Sequence, residues 1–209
     1  MRLTLVRHGE TTGQSSIRYY GSTDVPLSRL GIEQMRHVGT ALAHERFDVL
    51  LCSRLQRSRQ SAELAARRRL APRPVAAFDE VDFGRWEGWT REEIAARDAE
   101  RYRRWQEDPE QFVYPDGECR RAFRQRVADG LQRVLGECQG SNFLLVVHRG
   151  VIAIIMAELL GLVPAARRRL DIDLGSIHVL VRRDDAWHAD ALNRIDHLGP
   201  TLPSASAAT

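Results

Sequence analysis

The sequence predicts an α/β protein with a mostly parallel sheet covered by helices on both faces. Three observations carry this reading. Short apolar runs bounded by turn residues alternate with segments of helical period along the chain. The most apolar run, 142–147 (NFLLVV), lacks the polar alternation of a half-exposed strand and reads as a central parallel strand buried on both faces. Two capping sequences, Ser53-x-x-Gln56 and Thr90-x-x-Glu93, place helix starts after apolar segments, as crossover connections require.

Taken in order, Leu3 to Val6 is a short buried strand, and residues 12–26, rich in Gly, Ser, Thr and Tyr, form a loop ending at Pro26. Ser28 to Glu45 carries Leu30, Met35, Val38 and Leu42 at helical spacing. Asp48 to Cys52 is the second strand, and a helix is expected over 54–69, ending near Ala71-Pro72. Arg73 to Phe78 reads as a strand that delivers Asp79 and Glu80 to its end. A helix opened by Thr90 should run to about Gln106, followed by a loop from Asp108 to Gly117. Phe123, Val127, Leu131 and Leu135 mark a helix to about Cys138, and Gly150 leads into another to Leu160. Ile177 to Arg182 and Trp187 to Leu192 flank a turn at Asp184-Asp185, a terminal hairpin. Residues 1–199 are expected as one domain, with 200–209 a disordered tail of Pro, Ser and Ala.

Composition narrows the function classes. No apolar run approaches a membrane span, and the N-terminus enters strand-like sequence with no signal peptide, so a cytoplasmic location is the expectation. Cys52, Cys119 and Cys138 are odd in number and lack metal-ligand spacing, which argues against a disulfide framework or a zinc site. The charge of +3 could suggest nucleic acid, yet all 31 basic residues are Arg, and no nucleic-acid-binding motif accompanies them. The runs Arg67-Arg68-Arg69 and Arg167-Arg168-Arg169 read as solvated helix ends.

Chemistry concentrates where the first strand becomes a loop. Arg7-His8-Gly9 sets a cation and an imidazole at the carboxyl end of a buried strand, the place where open α/β sheets bind ligands. Arg57, in the first turn of its helix, would stand beside free backbone N–H groups that attract anions. Each residue alone has an ordinary reading. Arg7 and His8 could occupy a surface turn, Arg57 and Glu80 could be solvated charges, and His148 could be a satisfied core histidine.

Arg7-His8-Gly9-Glu10-Thr11 resembles the signature of the histidine phosphatase superfamily, which includes the phosphoglycerate mutases. Four further segments follow in that family's order: Arg18-x-x-Gly21 with Asp24-x-Pro26-Leu27, then Ser53-x-Leu55-x-Arg57-x-x-Gln60, then Glu80 in DEVDFGRWEG, and His148 closing LLVVH. Together they cover positions 3 to 150. The resemblance implies a three-layer α/β/α sandwich and a phosphohistidine formed on His8. Arg7, Arg57 and His148 would balance the phosphate charge, with Glu80 as the proton donor to the leaving group. Gln14, Arg18, Gly21 and Arg149 join Arg7, Arg57 and His148 as expected substrate contacts; no metal or other cofactor is implied. The physics is compatible, because phosphoryl transfer asks mainly for positioning and charge balance, and guanidinium forks match phosphate oxygens. Three positions depart from the family pattern. Gln14 stands where Asn is usual, Arg149 follows the last histidine where small residues are typical, and Cys119 replaces a common Ser.

From Asp82 onward, DFGRWEG, DAERYRRW, PDGE and FRQRV resemble the α-ribazole phosphatases of cobalamin biosynthesis, which remove a 5′-phosphate from a benzimidazole-type nucleoside. That resemblance implies a small phosphomonoester as substrate. Trp86, Trp89, Tyr102 and Trp105 could stack on its base or pack in the core. The alternatives are a mutase or phosphatase for phosphoglycerate or phosphosugars, and a scaffold that binds phosphorylated partners; the oligomeric state is left open.

Overall fold

The structure is a computed structural model that describes residues 1–199. Its strands are β1 (Arg2–Arg7), β2 (Val49–Cys52), β3 (Arg73–Pro74), β4 (Asn142–Val147), β5 (Ile177–Arg183) and β6 (Ala186–Arg194). They form one sheet in the order β3-β2-β4-β1-β5-β6. The four strands from β3 to β1 run parallel, while β5 and β6 are antiparallel additions at one side. The apolar run 142–147 is central as expected, between β2 and β1. Asp184 and Asp185 both have positive φ, 48° and 61°, the two-residue turn whose twist matches a hairpin.

Alternate residues of the central strands face opposite layers. Leu3 and Leu5 of β1, with Leu51, Phe143 and Leu145, pack in one core with Phe123, Val127 and Leu131 of α5 (Arg120–Glu137) and Ile152 and Ile155 of α6 (Arg149–Leu160). Val6, Leu50, Leu144 and Val146 turn the other way, onto Met35 and Val38 of α1 (Arg29–Ala41) and Ala62 and Ala65 of α2 (Gln56–Ala65). The period-two alternation thus produces the three-layer sandwich.

Beyond helix ends that fall about four residues early in α1 and α2, several departures from the sequence reading bear on the site. Ser53 does not cap α2; the carboxylate of Asp24 accepts the Gln56 N–H at 2.7 Å, so the cap comes from a distant loop and the helix starts later. Strand β3 stops at Pro74, which has no N–H to extend an edge ladder, and a 3-10 turn over Ala76–Phe78 delivers Asp79 and Glu80 instead. The Thr90–Glu93 capping box forms, yet the helix breaks at Asp98 into α3 (Arg91–Arg97) and α4 (Ala99–Glu107). Asp98 leaves helical geometry, and its carboxylate accepts from Trp86 Nε1 and Arg101. A short helix, α7 (Pro164–Arg168), was not anticipated; Arg168 and Arg169 are exposed at its end, as Arg67, Arg68 and Arg69 are in theirs, but Arg167 is buried against Glu110 and departs from the expected solvated run. The tail expected from residue 200 lies outside the described residues. No helix among the described residues is long and apolar enough to cross a membrane.

Strands β1 and β4 are parallel neighbours with Arg7 opposite Val147, so the residues that follow them, His8 and His148, leave the sheet side by side. The helix after β1 packs on one face and the helix after β4 on the other. The chain therefore opens a crevice at the carboxyl ends of these two strands.

Candidate active site

His8 and His148 are both buried, with ring centroids 5.1 Å apart in an edge-on arrangement. His8 Nδ1 lies 2.8 Å from its neighbour's carbonyl, Gly9 O. A carbonyl oxygen can only accept, so Nδ1 carries the proton and Nε2 keeps its lone pair. Burial first, then the charges of Arg57 and Arg7, hold the His8 pKa well below 6.5, which keeps the ring neutral. His148 is depressed in the same direction, by burial and then Arg57. Its Nε2 lies 2.7 Å from Ser53 Oγ, and its Nδ1 is buried without a partner among the described residues.

Arg7 and Arg57 are buried, and neither forms an ion pair with a carboxylate among the described residues. Backbone carbonyls hold their terminal nitrogens. Arg7 donates to Ile172 O at 2.7 Å, and Arg57 donates to Thr23 O at 2.9 Å and Gly21 O at 2.6 Å. Both Nε atoms are buried and unpartnered among the described residues. Burial is the leading cause that lowers both pKa values, Arg7 to about 10. Both groups stay charged near neutral pH. A buried cation fixed by carbonyls but lacking an anion costs stability, and a bound dianion would offset that cost.

Glu80 enters from the turn after β3. Its carboxylate accepts the Val81 N–H at 3.0 Å and the Gly150 N–H at 2.9 Å, the latter in the first turn of α6. A Cβ on Gly150 would come within 2.5 Å of Glu80 Oε1, so glycine there is what lets the carboxylate approach the helix. Behind it, Arg126 donates to the carbonyls of Ala77, Asp79 and Glu80 and pairs with Glu118, bracing the backbone that carries the acid.

Part of this set meets a cavity of about 220 Å³. Arg7, His8, Glu80 and Gly150 form one end; Tyr19, Phe83, Trp105 and Tyr114 form aromatic walls. Arg18 and Arg149 line it too, Arg18 already engaged with Gly88 O at 2.7 Å and Glu93 at 2.9 Å. Gly21 acts through its backbone, accepting from Arg57, and a Cβ there would meet Val81 O at 1.7 Å. Gln14 is exposed at φ 64° and does not line the cavity. Of the four aromatic residues singled out from the sequence, Trp105 alone reaches the cavity; Trp86 is core, stacked on Phe112, while Tyr102 meets Arg91 and Trp89 meets Arg97. Cys119, where the family usually has Ser, precedes α5 and makes no side-chain cap.

Three supporting residues escaped the sequence reading. Ser53 was read as a cap but faces His148. Glu87 gathers the N–H groups of Gly21, Ser22, Thr23 and Phe83, shaping the loop whose carbonyls hold Arg57. Tyr19 lies in the loop 12–26, where only its place beside Arg18 marks it. Chemically, the arrangement offers an uncharged imidazole lone pair, a buried cation and a carboxyl group at one end of a cavity with aromatic walls; the second buried cation, Arg57, and His148, whose ring meets that of His8 edge-on, do not line the cavity.

Comparison with known proteins identifies the family. The family model for the histidine phosphatase superfamily, branch 1, matches residues 3–195. An Escherichia coli K12 protein named adenosylcobalamin/alpha-ribazole phosphatase is 35% identical over 176 residues, 84% of this chain and 87% of that one. A Salmonella typhimurium protein of the same name is 38% identical over 169 residues, 79% and 82% of the two chains. The crystal structure of an E. coli protein described as an alpha-ribazole-5′-P phosphatase superposes with a TM-score of 0.85 at 32% identity, covering 93% of this chain and 96% of that one.

Proposed function

The chain belongs to the histidine phosphatase superfamily and is a phosphatase, and from that premise we propose that it removes the 5′-phosphate of α-ribazole 5′-phosphate through a phosphohistidine on His8. The observation that carries the site assignment is the pair of buried guanidiniums, Arg7 and Arg57, without carboxylate partners among the described residues and each with an unpartnered Nε. A phosphate monoester supplies the missing anion. His8 Nε2 attacks phosphorus while Nδ1–H stays on Gly9 O, so the positive charge that develops on the ring is held by a carbonyl. Arg7, Arg57 and the Nδ1–H of His148 take the equatorial oxygens. Glu80 gives its proton to the leaving 5′-oxygen, then takes one from the water that hydrolyses the phosphohistidine.

The substrate assignment rests on the relatives' names together with the walls of the cavity. Tyr19, Phe83 and Trp105 offer flat apolar surface to a heteroaromatic base, more than a three-carbon acid would need. Water is the acceptor in this reading because α3, α4, α5 and β4 take up more than half of the chain between Glu80 and His148, leaving little to close over the site as a mutase requires. The deciding experiment compares kcat/KM for α-ribazole 5′-phosphate, common phosphosugars and 3-phosphoglycerate, with phosphate release measured directly. A better phosphosugar substrate would overturn the substrate assignment. Interconversion of 3- and 2-phosphoglycerate faster than phosphate release would overturn hydrolysis as the reaction.

A further inference from the structure

The cavity carries more positive charge than one phosphate monoester needs. Seven arginines line it against a single carboxylate, Glu80. Arg7 serves the catalytic end, Arg18 pairs with Glu93, and Arg124 pairs with Glu158 at 2.8 Å. Arg149, Arg120, Arg167 and Arg168 remain, and one carboxylate, Glu110, stands among the last three. Glu110 pairs with Arg167, lies 3.9 Å from Arg168 and acts on the charge of Arg120. Arg120 has no carboxylate ion pair among the described residues; it donates to the Tyr114 hydroxyl at 3.0 Å. Arg149 stands between the two ends, acting on the charge of both Arg7 and Arg120, and its Nε is buried without a partner among the described residues.

This surplus lies away from the reacting end. Along α6, Gly150 holds Glu80 while Ala153 and Ile154 line the cavity one turn further on, about 6 Å along the helix axis. Arg120 and Arg124 at the start of α5 and Arg167 and Arg168 of α7 border the cavity with them. Solvated arginines would be screened, but Arg167 is buried and Arg120 is only partly exposed, so their charge persists in the cavity at ordinary salt.

We propose that Arg120, Arg167 and Arg168 form a second anion subsite, which takes a phosphate or phosphodiester borne by the same molecule as the scissile monoester. Resting on the phosphatase reading above, this extends the substrate class from nucleoside 5′-monophosphates to nucleotides that carry a second phosphate or phosphodiester elsewhere on the sugar. The aromatic walls would then span the nucleoside between two anionic ends. The surplus also accounts for the arginine at position 149, which supplies positive charge between them.

The test compares kcat/KM for adenosine 5′-phosphate and adenosine 3′,5′-bisphosphate, following release of the 5′-phosphate, with p-nitrophenyl phosphate reporting on the catalytic end. Charge-assisted contacts of this kind should favour the bisphosphate roughly tenfold or more. Arg120→Gln and, separately, the more exposed Arg168→Ala should each lower that ratio, the double variant bringing it close to one, while Arg120→Lys keeps part of it. Wild-type enzyme that treats the two nucleotides alike, or variants that keep the wild-type ratio, would overturn the subsite. Should inorganic phosphate inhibit p-nitrophenyl phosphate turnover noncompetitively, with Arg120→Gln removing that inhibition and the bisphosphate showing no advantage, the subsite would hold free phosphate and the proposal would fail. Loss of p-nitrophenyl phosphate turnover in the wild-type enzyme would instead count against the phosphatase reading itself.

Discussion

Ser53 Oγ lies 2.7 Å from Nε2 of His148, across the junction of β2 and β4, and the same hydroxyl oxygen accepts the Leu55 N–H at 3.2 Å. For His148 to donate from Nδ1, the nitrogen without a partner among the described residues, its Nε2 must accept, and the Ser53 hydroxyl is the group placed to donate to it. In the proposed mechanism Ser53 is therefore the positioning residue that sets the His148 tautomer. Ser53→Ala should lower kcat by about tenfold or more, bounded by the roughly 10² to 10³ that loss of a whole transition-state donor costs. Ser53→Thr, which keeps the hydroxyl, should recover part of the loss. Steady-state kinetics at fixed pH check this, and an unchanged kcat in Ser53→Ala would return Ser53 to a structural role.

His8 carries the second expectation. Rapid quenching above neutral pH after brief exposure to ³²P-labelled substrate should trap an acid-labile, base-stable adduct, absent in His8→Ala. Because burial and the two arginines hold its pKa well below 6.5, the His8 ring should show no titration in the NMR spectrum as pH falls from about 8 to 6.5. A His8 resonance with a midpoint near 6.5 would contradict the electrostatics of the site.

Glu80 and Gly150 form the third. Glu80→Gln should cost roughly 10² to 10⁴ on an alkyl phosphate and less on p-nitrophenyl phosphate, whose leaving group needs little protonation. Gly150→Ala should reproduce that selectivity more weakly, because its Cβ would come within 2.5 Å of Glu80 Oε1 and push the carboxylate aside. Equal losses on both substrates in Glu80→Gln would restrict Glu80 to the dephosphorylation step or to structure.

The groups proposed to react were legible for two reasons: His8 and His148 end apolar runs, and the family order of motifs pointed to Arg57 and Glu80. What supports them was not legible, because it is built from contacts distant in sequence. Asp24 caps a helix that starts 32 residues later. Glu87 gathers a loop some 65 residues before it. Arg126 braces the turn at Glu80 from another helix. Aromatic residues misled for the same reason. Trp86 and Trp105 read alike in the sequence, yet the break at Asp98, tied to the Trp86 indole, leaves Trp86 in the core and Trp105 on the cavity wall.

The last expectation concerns acid stability, and it arises away from the reacting groups. His178 on β5 is fully buried; its Nδ1 accepts the Asn193 N–H at 3.1 Å, so its proton sits on Nε2, 3.0 Å from Ser176 Oγ. Burial pushes its pKa from 6.5 down to about 4. In the folded state the ring therefore stays neutral where the unfolded chain already takes up a proton. Stability should be complete above 6.5 and fall as pH drops from 6.5 toward 4, by about 3 kcal/mol for this residue alone, then level off. His8 and His148 are depressed in the same direction and should add to the loss. His178→Gln should be less stable near neutral pH, by about 1 to 3 kcal/mol for the disturbed buried hydrogen bonds, but its stability should depend less steeply on pH over that window. Urea denaturation at a series of pH values measures both quantities. Parallel curves for the two proteins would mean that His178 is protonated as readily in the folded chain as in the unfolded one, and the buried neutral imidazole would have to be abandoned.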